Sequence, residues 1–460
     1  MDGQRLQHSV ARVTTAASFG FALVQLDVTI VNVALPHIAG ALRAGVAGLQ
    51  WVVDAYALSF AVLLLSMGYF GDRWGARRVY LGGMALFALA SVFCGSAGNS
   101  AMLVAGRTLQ GVGAAAMLPC SLALLSHATA HDHALRARAV GWWTASGAIA
   151  IAAGPIIGGL LLSLTSWRSI FFVNVPVCAL GAWLTWRVPE TERKPHDGRF
   201  DLPGQALAML ALTGLIMTVI EAKPLGWTHP LVLACAGVTT ITAPWFVWVE
   251  SRSLAPMLPL RFFKSPGFSM AVAYGVVVNL TYYGIVFLLS LYLQRVHGYG
   301  ALRTGLAYLP LTATFFGVNV FSGWLVGRIG ARPPMVLGAL IDAAGFGLLS
   351  LLGAGSSYWL MLPAFALLPS GMGLGVPAMT TTVLSAVEKQ ASGTASGVLN
   401  AARQAAGAVG VALFGSLAGD SSPMIVRGLH RSAWIAVAML LLTAVLAFRG
   451  LDHRSDLQAG

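Results

Sequence analysis

Two charged side chains stand deep in apolar sequence, where a charge is hardest to keep. Asp27 belongs to the run L-D-V-T-I-V-N-V-A-L-P from Leu26 to Pro36, and Arg107 to L-V-A-G-R-T-L-Q-G-V-G from Leu103 to Gly113. Read as helices, these segments put Asp27 about nine residues, or ~13 Å, from one end of its span, with Arg107 at a similar depth from the same side. A carboxylate at that depth is costly unless it is paired, wetted or protonated. A conformational change that alters its desolvation, or its distance from a cation, alters its hold on a proton, so such an acid can load and unload one. Arg107 cannot shed its proton and acts as a fixed positive charge beside it. A permanent structural pair and a helix-to-helix hydrogen bond would use the same two residues without any chemistry.

Further polar residues interrupt apolar stretches. Asp54 lies two residues before Tyr56, Asp342 is alone in its run, and Arg403 and Gln404 are adjacent. Asp54 is a second candidate for proton coupling. Asn32, Tyr56, Gln110, Asp342, Asn400, Arg403 and Gln404 are candidates to line a polar cavity, and local packing would satisfy each of them equally well. Glu221 falls at a span end and reads as interfacial. His127, His131 and His133 have ligand-like spacing but sit at a short loop, so no metal site is expected. Cys94, Cys120, Cys178 and Cys235 fall inside apolar runs without metal spacing and read as small packing residues.

Two glycine-bearing segments carry a different kind of information. Gly68 to Arg78 reads G-Y-F-G-D-R-W-G-A-R-R, in which Gly68 and Gly75 permit a tight turn. Asp72, Arg73 and Arg77 can form a pairing network that opens and closes. A plain cytoplasmic excess of arginine accounts for the cations but not for Asp72. Gly147 to Gly159 reads G-A-I-A-I-A-A-G-P-I-I-G-G. Gly147, Gly154, Gly158 and Gly159 allow a neighbouring helix to approach closely, and Pro155 permits a bend. The chain has no G-x-x-x-x-G-K-[ST], G-x-S-x-G or H-E-x-x-H. ATP-driven transport by this chain and enzymatic catalysis are therefore not expected, and no cofactor is implied beyond a coupling proton.

The elements that must position these residues follow from composition. Of 460 residues, 57% are hydrophobic and 10% charged, against about a quarter charged in soluble domains, and this excludes a soluble or disordered chain. The net charge of +12 does not signify nucleic acid, because the charges lie in short gaps between apolar runs. A spanning helix needs about 20 apolar residues, and fourteen such runs can be marked. Polar linkers at Arg187–Asp201 and Glu250–Pro266 divide them into six, two and six. The expected architecture is an all-α polytopic membrane protein of 14 transmembrane helices. It comprises an N-terminal six-helix bundle over residues 1–190, a linker with two inserted helices over 191–265, and a C-terminal six-helix bundle over 266–460. With the N-terminus inside, inner segments hold 19 Lys and Arg and outer loops 7, so both termini are expected in the cytoplasm. The halves repeat: Gly68, Arg73, Gly75, Ala76 and Arg77 recur at Gly323, Arg328, Gly330, Ala331 and Arg332, each 255 residues later.

Taken in order, these stretches resemble the signatures of the major facilitator superfamily. Gly68–Arg78 resembles its motif A, Arg107–Gly113 motif B, and Gly147–Gly159 motif C, which the family associates with antiporters. Leu26–Pro36, Trp167–Pro176 (W-R-S-I-F-F-V-N-V-P) and Ser392–Gly407 (S-G-T-A-S-G-V-L-N-A-A-R-Q-A-A-G) are similar to elements of its fourteen-span drug:proton antiporters, the EmrB/QacA group. The resemblance implies the major facilitator fold, two six-helix bundles that rock about a central cavity. It implies roles for Asp27 and Arg107 in proton coupling and substrate handling, and for Asp72 in stabilising one conformer. The second copy of motif A has Gly327 opposite Asp72 and departs from the pattern. The expected function is proton-coupled export of small amphipathic compounds, cationic or aromatic, across the inner (cytoplasmic) membrane. Alternatives are export of one metabolite or antibiotic, or a non-transporting sensor or assembly subunit. Fourteen spans suffice for a monomer in the lipid bilayer; some relatives use a periplasmic adaptor protein.

Overall fold

In the computed structural model, residues 2–129, 133–188, 190, 201–253, 256–387 and 391–450 are described, and all regular structure among them is helical. The linker expected at Arg187–Asp201 lies mostly outside the described residues, as does part of the one at Glu250–Pro266.

The helices of the first half are α1 (Asp2–Leu42), α2 (Val46–Trp74), α3 (Ala76–Gly95), α4 (Ser100–Ala128), α5 (His133–Leu164), α6 (Ser169–Phe172) and α7 (Asn174–Trp186). An inserted pair follows, α8 (Leu202–Leu225) and α9 (Pro230–Arg252). The second half holds α10 (Pro266–Leu291), α11 (Ala301–Ala307), α12 (Leu309–Ile329), α13 (Arg332–Leu349), α14 (Tyr358–Ser385), α15 (Ser392–Leu417) and α16 (Ser422–Gly450). Among the described residues, thirteen segments are long and apolar enough to cross a membrane, with α6–α7 forming one and α11–α12 another. The expected thirteenth span, α15, is a helix of spanning length that does not reach the same apolarity, because Asn400, Arg403 and Gln404 interrupt its middle.

The packing repeats between halves. In the first, α1 packs on α4, α5 and α7, while α4 takes α2 and α3, and α7 takes α3. In the second, α10 packs on α14, α15 and α16, while α14 takes α12 and α13, and α16 takes α13. The halves meet through α2 with α15, α5 with α11 and α12, and α1 with α10. Interchanging the halves reproduces the same list, as the 255-residue repeat requires.

That repeat is visible in the backbone. The segment from Gly68 is not an extended loop: α2 continues to Trp74 and α3 begins at Ala76, leaving Gly75 as the turn. Gly75 has φ 97°, and its counterpart Gly330, between α12 and α13, has φ 77°. Glycine adopts this region without the steric penalty of a Cβ.

The inserted hairpin sits at one seam. α8 leans on both α2 and α15, where Leu58, Val62, Ile216, Ile220, Ala408 and Ala412 share one apolar cluster. Its polar contacts go to α2: Gln205 Nε2 donates to Val62 O at 2.9 Å, Ser66 hydrogen-bonds Gln205, and Trp51 Nε1 donates to Glu221 Oε1 at 2.9 Å. Glu221, half-buried about one turn from the end of α8, is therefore held against α2. α9 lies outermost, with 11% of its apolar window buried.

Candidate functional site

Asp27 is fully buried near the middle of α1, and four helices supply its surroundings. Arg107 of α4, 1% exposed, forms an ion pair with Asp27 Oδ2 through Nη1. The other oxygen, Oδ1, accepts from Asn174 Nδ2 of α7 at 3.1 Å and Gln110 Nε2 of α4 at 3.4 Å. Ser91 of α3 ties these donors together, accepting from Gln110 Nε2 at 2.8 Å and Asn174 Nδ2 at 3.3 Å. Cys94 Sγ donates to Gln110 Oε1 at 3.4 Å.

Arg107 is held on every side. Its Nε donates to Val52 O of α2 at 3.0 Å, Nη1 also reaches Gln110 Oε1 at 2.9 Å, and the guanidinium stacks 4.3 Å above the Tyr56 ring. A buried pair of this kind is stable only when its remaining hydrogen-bonding capacity is met, and here the carboxylate is fully served.

Beside the pair lies a cavity between the bundles. Tyr56, Arg107, Val28 and Val53 line it from one side, and Tyr283, Gln404, Gly407 and Val411 from the other. Arg107 is thus part of a wall that both halves contribute to, and Asp27 lies one residue behind it. Of the expected lining residues, Tyr56 and Gln404 take part. Gln110 lies behind the wall, while Asn32 and Asn400 donate to carbonyls of their own helices, Val28 O and Ser396 O, both at 3.0 Å. Arg403 borders the lining without forming it. Asp342, 2% exposed, is backed by Gly371 within the second bundle, away from Asp27. Asp54 is fully buried, and neither of its oxygens has a hydrogen-bond partner.

The glycines of α5 serve two interfaces. A Cβ at Gly147 would strike Phe21, and one at Gly154 or Gly158 would strike Thr29 or Ile30, so these positions face α1. Gly159 instead abuts Ala301 and Leu302, and Gly305 abuts the Pro155 carbonyl, so the far end of α5 faces α11. At this same end Gln50 Nε2 donates to Ala412 O at 2.7 Å, and Gln294 Nε2 to Val33 O at 2.9 Å. Ser290 bonds Asn32 O, and Arg295 pairs with Asp420 at 3.5 Å. Toward the opposite end, a Cβ on Gly317, Gly323 or Gly327 of α12 would meet nothing within 4 Å. Hydrogen bonds between the bundles, among the described residues, gather at the first end and seal it, while α2 and α15 also touch at the other through Leu65 and Gly397.

The turn at Gly75 departs from the expected network. Asp72 is exposed and makes no ion pair among the described residues. Arg73 donates to Tyr69 at 3.0 Å, Arg77 has an unpartnered Nε, and Arg78 pairs with Glu190 at 3.3 Å. Gly68 lies near Pro119. His127 is exposed, His131 lies outside the described residues, and among those residues no group of three or more His, Cys, Asp and Glu could hold a metal. Sequence reasoning did not single out Ser91, Asn174, Tyr283 or Glu190. Asn174, a lone amide in an apolar run, offered the clearest signal.

Two like-built helical halves around a cavity, with a charged pair buried beside it, define a membrane transporter of small molecules. The model of the Major Facilitator Superfamily matches residues 17–411, and the chain belongs to that family, a non-enzymatic class. It is 39% identical over 402 residues to the multidrug resistance protein Stp of Mycobacterium tuberculosis (strain CDC 1551 / Oshkosh), covering 87% of this chain and 74% of the relative. It is 35% identical over 405 residues to the methylenomycin A resistance protein of Bacillus subtilis (strain 168), covering 88% and 86%. Among solved structures, a D-xylose-proton symporter superposes with a TM-score of 0.72 at 14% identity, covering 97% and 99% of the two chains. At that identity the likeness concerns fold.

Proposed function

We propose that the protein is a proton-coupled antiporter of the fourteen-span drug exporter group, carrying small amphipathic compounds out across the cytoplasmic membrane. The observation that carries this reading is the buried Asp27–Arg107 pair, in which Arg107 forms part of the cavity wall beside Tyr56 and Asp27 lies directly behind it. Relatives named for multidrug and methylenomycin A resistance support the substrate class.

In the proposed cycle, Asp27 carries a proton until substrate enters from the cytoplasm. Loss of the proton inward restores the ion pair, the bundles rock, substrate leaves outward, and Asp27 is reloaded from outside. The positive-inside count assigns the sealed end, which carries the turn at residues 43–45, to the outside. In this reading the described arrangement is closed to the outside, with Asp27 paired to Arg107. Asp54, orphaned in α2, is the second candidate for a proton.

The test is transport by the full chain in proteoliposomes under an imposed pH gradient, with amphipathic dyes of either charge. Gradient-driven movement that disappears in Asp27→Asn is expected. Movement that survives would transfer the coupling to Asp54, and a failure to move any dye would overturn multidrug export in favour of a dedicated exporter.

A further inference from the structure

Resting on the reading of the cavity as the substrate site, we infer that the exported compound bears an anionic group on an aromatic body, and that Arg403 receives that group. Arg403 lies in the middle of α15, a helix enclosed by α2, α8, α10, α14 and α16. Its side chain is half-buried and borders the cavity. The adjacent Gln404, and Gly407 one turn on, line the cavity.

Arg403 is a cation without a counterion. Its Nε is buried and has no hydrogen-bond partner, and no carboxylate pairs with it among the described residues. Its stem packs against Gly275 of α10, the helix that also gives Tyr283 to the cavity wall. Other charges do not offset it. Arg107 is matched by Asp27, Asp342 is buried against Gly371 within the second bundle, and Asp54 accepts no hydrogen bond from any described donor.

Arginine cannot escape this situation by losing its proton, and an unmatched charge at mid-membrane is costly. A ligand oxyanion resolves it, because the planar guanidinium presents paired donors that match a carboxylate. Tyr56 and Tyr283, on opposite walls, offer rings to the aromatic body of the same ligand. This assigns a substrate chemistry opposite in sign to the cationic compounds expected from the sequence.

The inference is tested by binding, so that its outcome is independent of proton coupling. The full-length protein in detergent is titrated by calorimetry with 2-naphthoate and with its neutral amide, 2-naphthamide. The acid is expected to bind at least about tenfold more tightly, as a charge-assisted bidentate contact requires. Arg403→Gln removes that preference while leaving amide affinity within about twofold, and Arg403→Lys retains part of it. Equal affinities in the parent protein, a preference that survives Arg403→Gln, or binding of neither compound overturns the inference. Loss of the preference in Arg403→Gln together with transport that ignores Asp27→Asn would remove the coupling reading alone.

Discussion

At the residue scale, the Asp27 site is a set of mutual obligations. Both carboxylate oxygens are occupied, one by Arg107 and the other by Asn174 and Gln110. Deleting one partner leaves the other charge stranded, which costs about 3–5 kcal/mol for a buried pair. Arg107→Ala is therefore expected to lower the unfolding temperature sharply. Arg107→Ala combined with Asp27→Asn recovers most of that loss, since no lone charge then remains; a thermal melt of the detergent-solubilised variants checks both. Asn174→Leu removes the shorter contact to Oδ1 and is expected to displace the pH profile of transport while leaving the protein folded. The two charges were legible in the sequence because an ion inside an apolar run has few bland explanations. Ser91 and Asn174 were not, because small polar side chains occur throughout membrane helices as ordinary packing and hydrogen-bonding residues. Asp72 was read as the acid of a charge network, yet Glu190, from beyond the end of α7, is the acid that meets Arg78. Their sequence separation hid that partnership.

At the element scale, α5 separates two kinds of closeness. Gly154 touches α1 within one bundle, whereas Gly159 touches the start of α11 in the other. Gly154→Leu is expected to push α1 off α5 and destabilise the first bundle, with a lowered unfolding temperature. Gly159→Leu leaves that contact intact and wedges the sealed end apart, so folding survives while labelling of cysteines placed at that end increases. The helices themselves were readable from runs of about 20 apolar residues. Their interruptions were less so: the sixth span breaks at Val173 and the tenth at Tyr308, where Pro310 enters the following helix. α14, by contrast, runs unbroken through Pro363, Pro369 and Pro377, as membrane helices tolerate when neighbours serve the freed carbonyls. α15 shows the limit of apolarity as a guide, since it packs on five other helices and so tolerates a polar centre.

At the scale of the whole molecule, the internal repeat foretold two equivalent halves, and the helix pairings obey it. What the repeat could not foretell is which end is closed, because that depends on contacts between halves rather than within them. Gly159 of α5 against Leu302 of α11 is one such contact. A disulfide between cysteines placed at these two positions, in a background without the four native cysteines, is expected to arrest transport, and a reductant to restore it. Failure of the cross-link to affect transport would mean that this end does not part during the cycle.

The two seams between the halves are unlike each other, and this has a mechanical consequence. Along α2 and α15 the contact runs from Gln50 with Ala412 to Leu65 with Gly397, and α8 is laid over it. α8 is bonded to α2 through Gln205 and Glu221, about 24 Å apart along the helix, while its contact with α15 is apolar. In the proposed cycle the molecule is hung like a door: the α2 side carries the hinge plate, and α15 turns against an apolar surface. A substrate then meets a wedge rather than a round mouth, and flat molecules that enter edge-on fit such an opening better than spherical ones of equal volume.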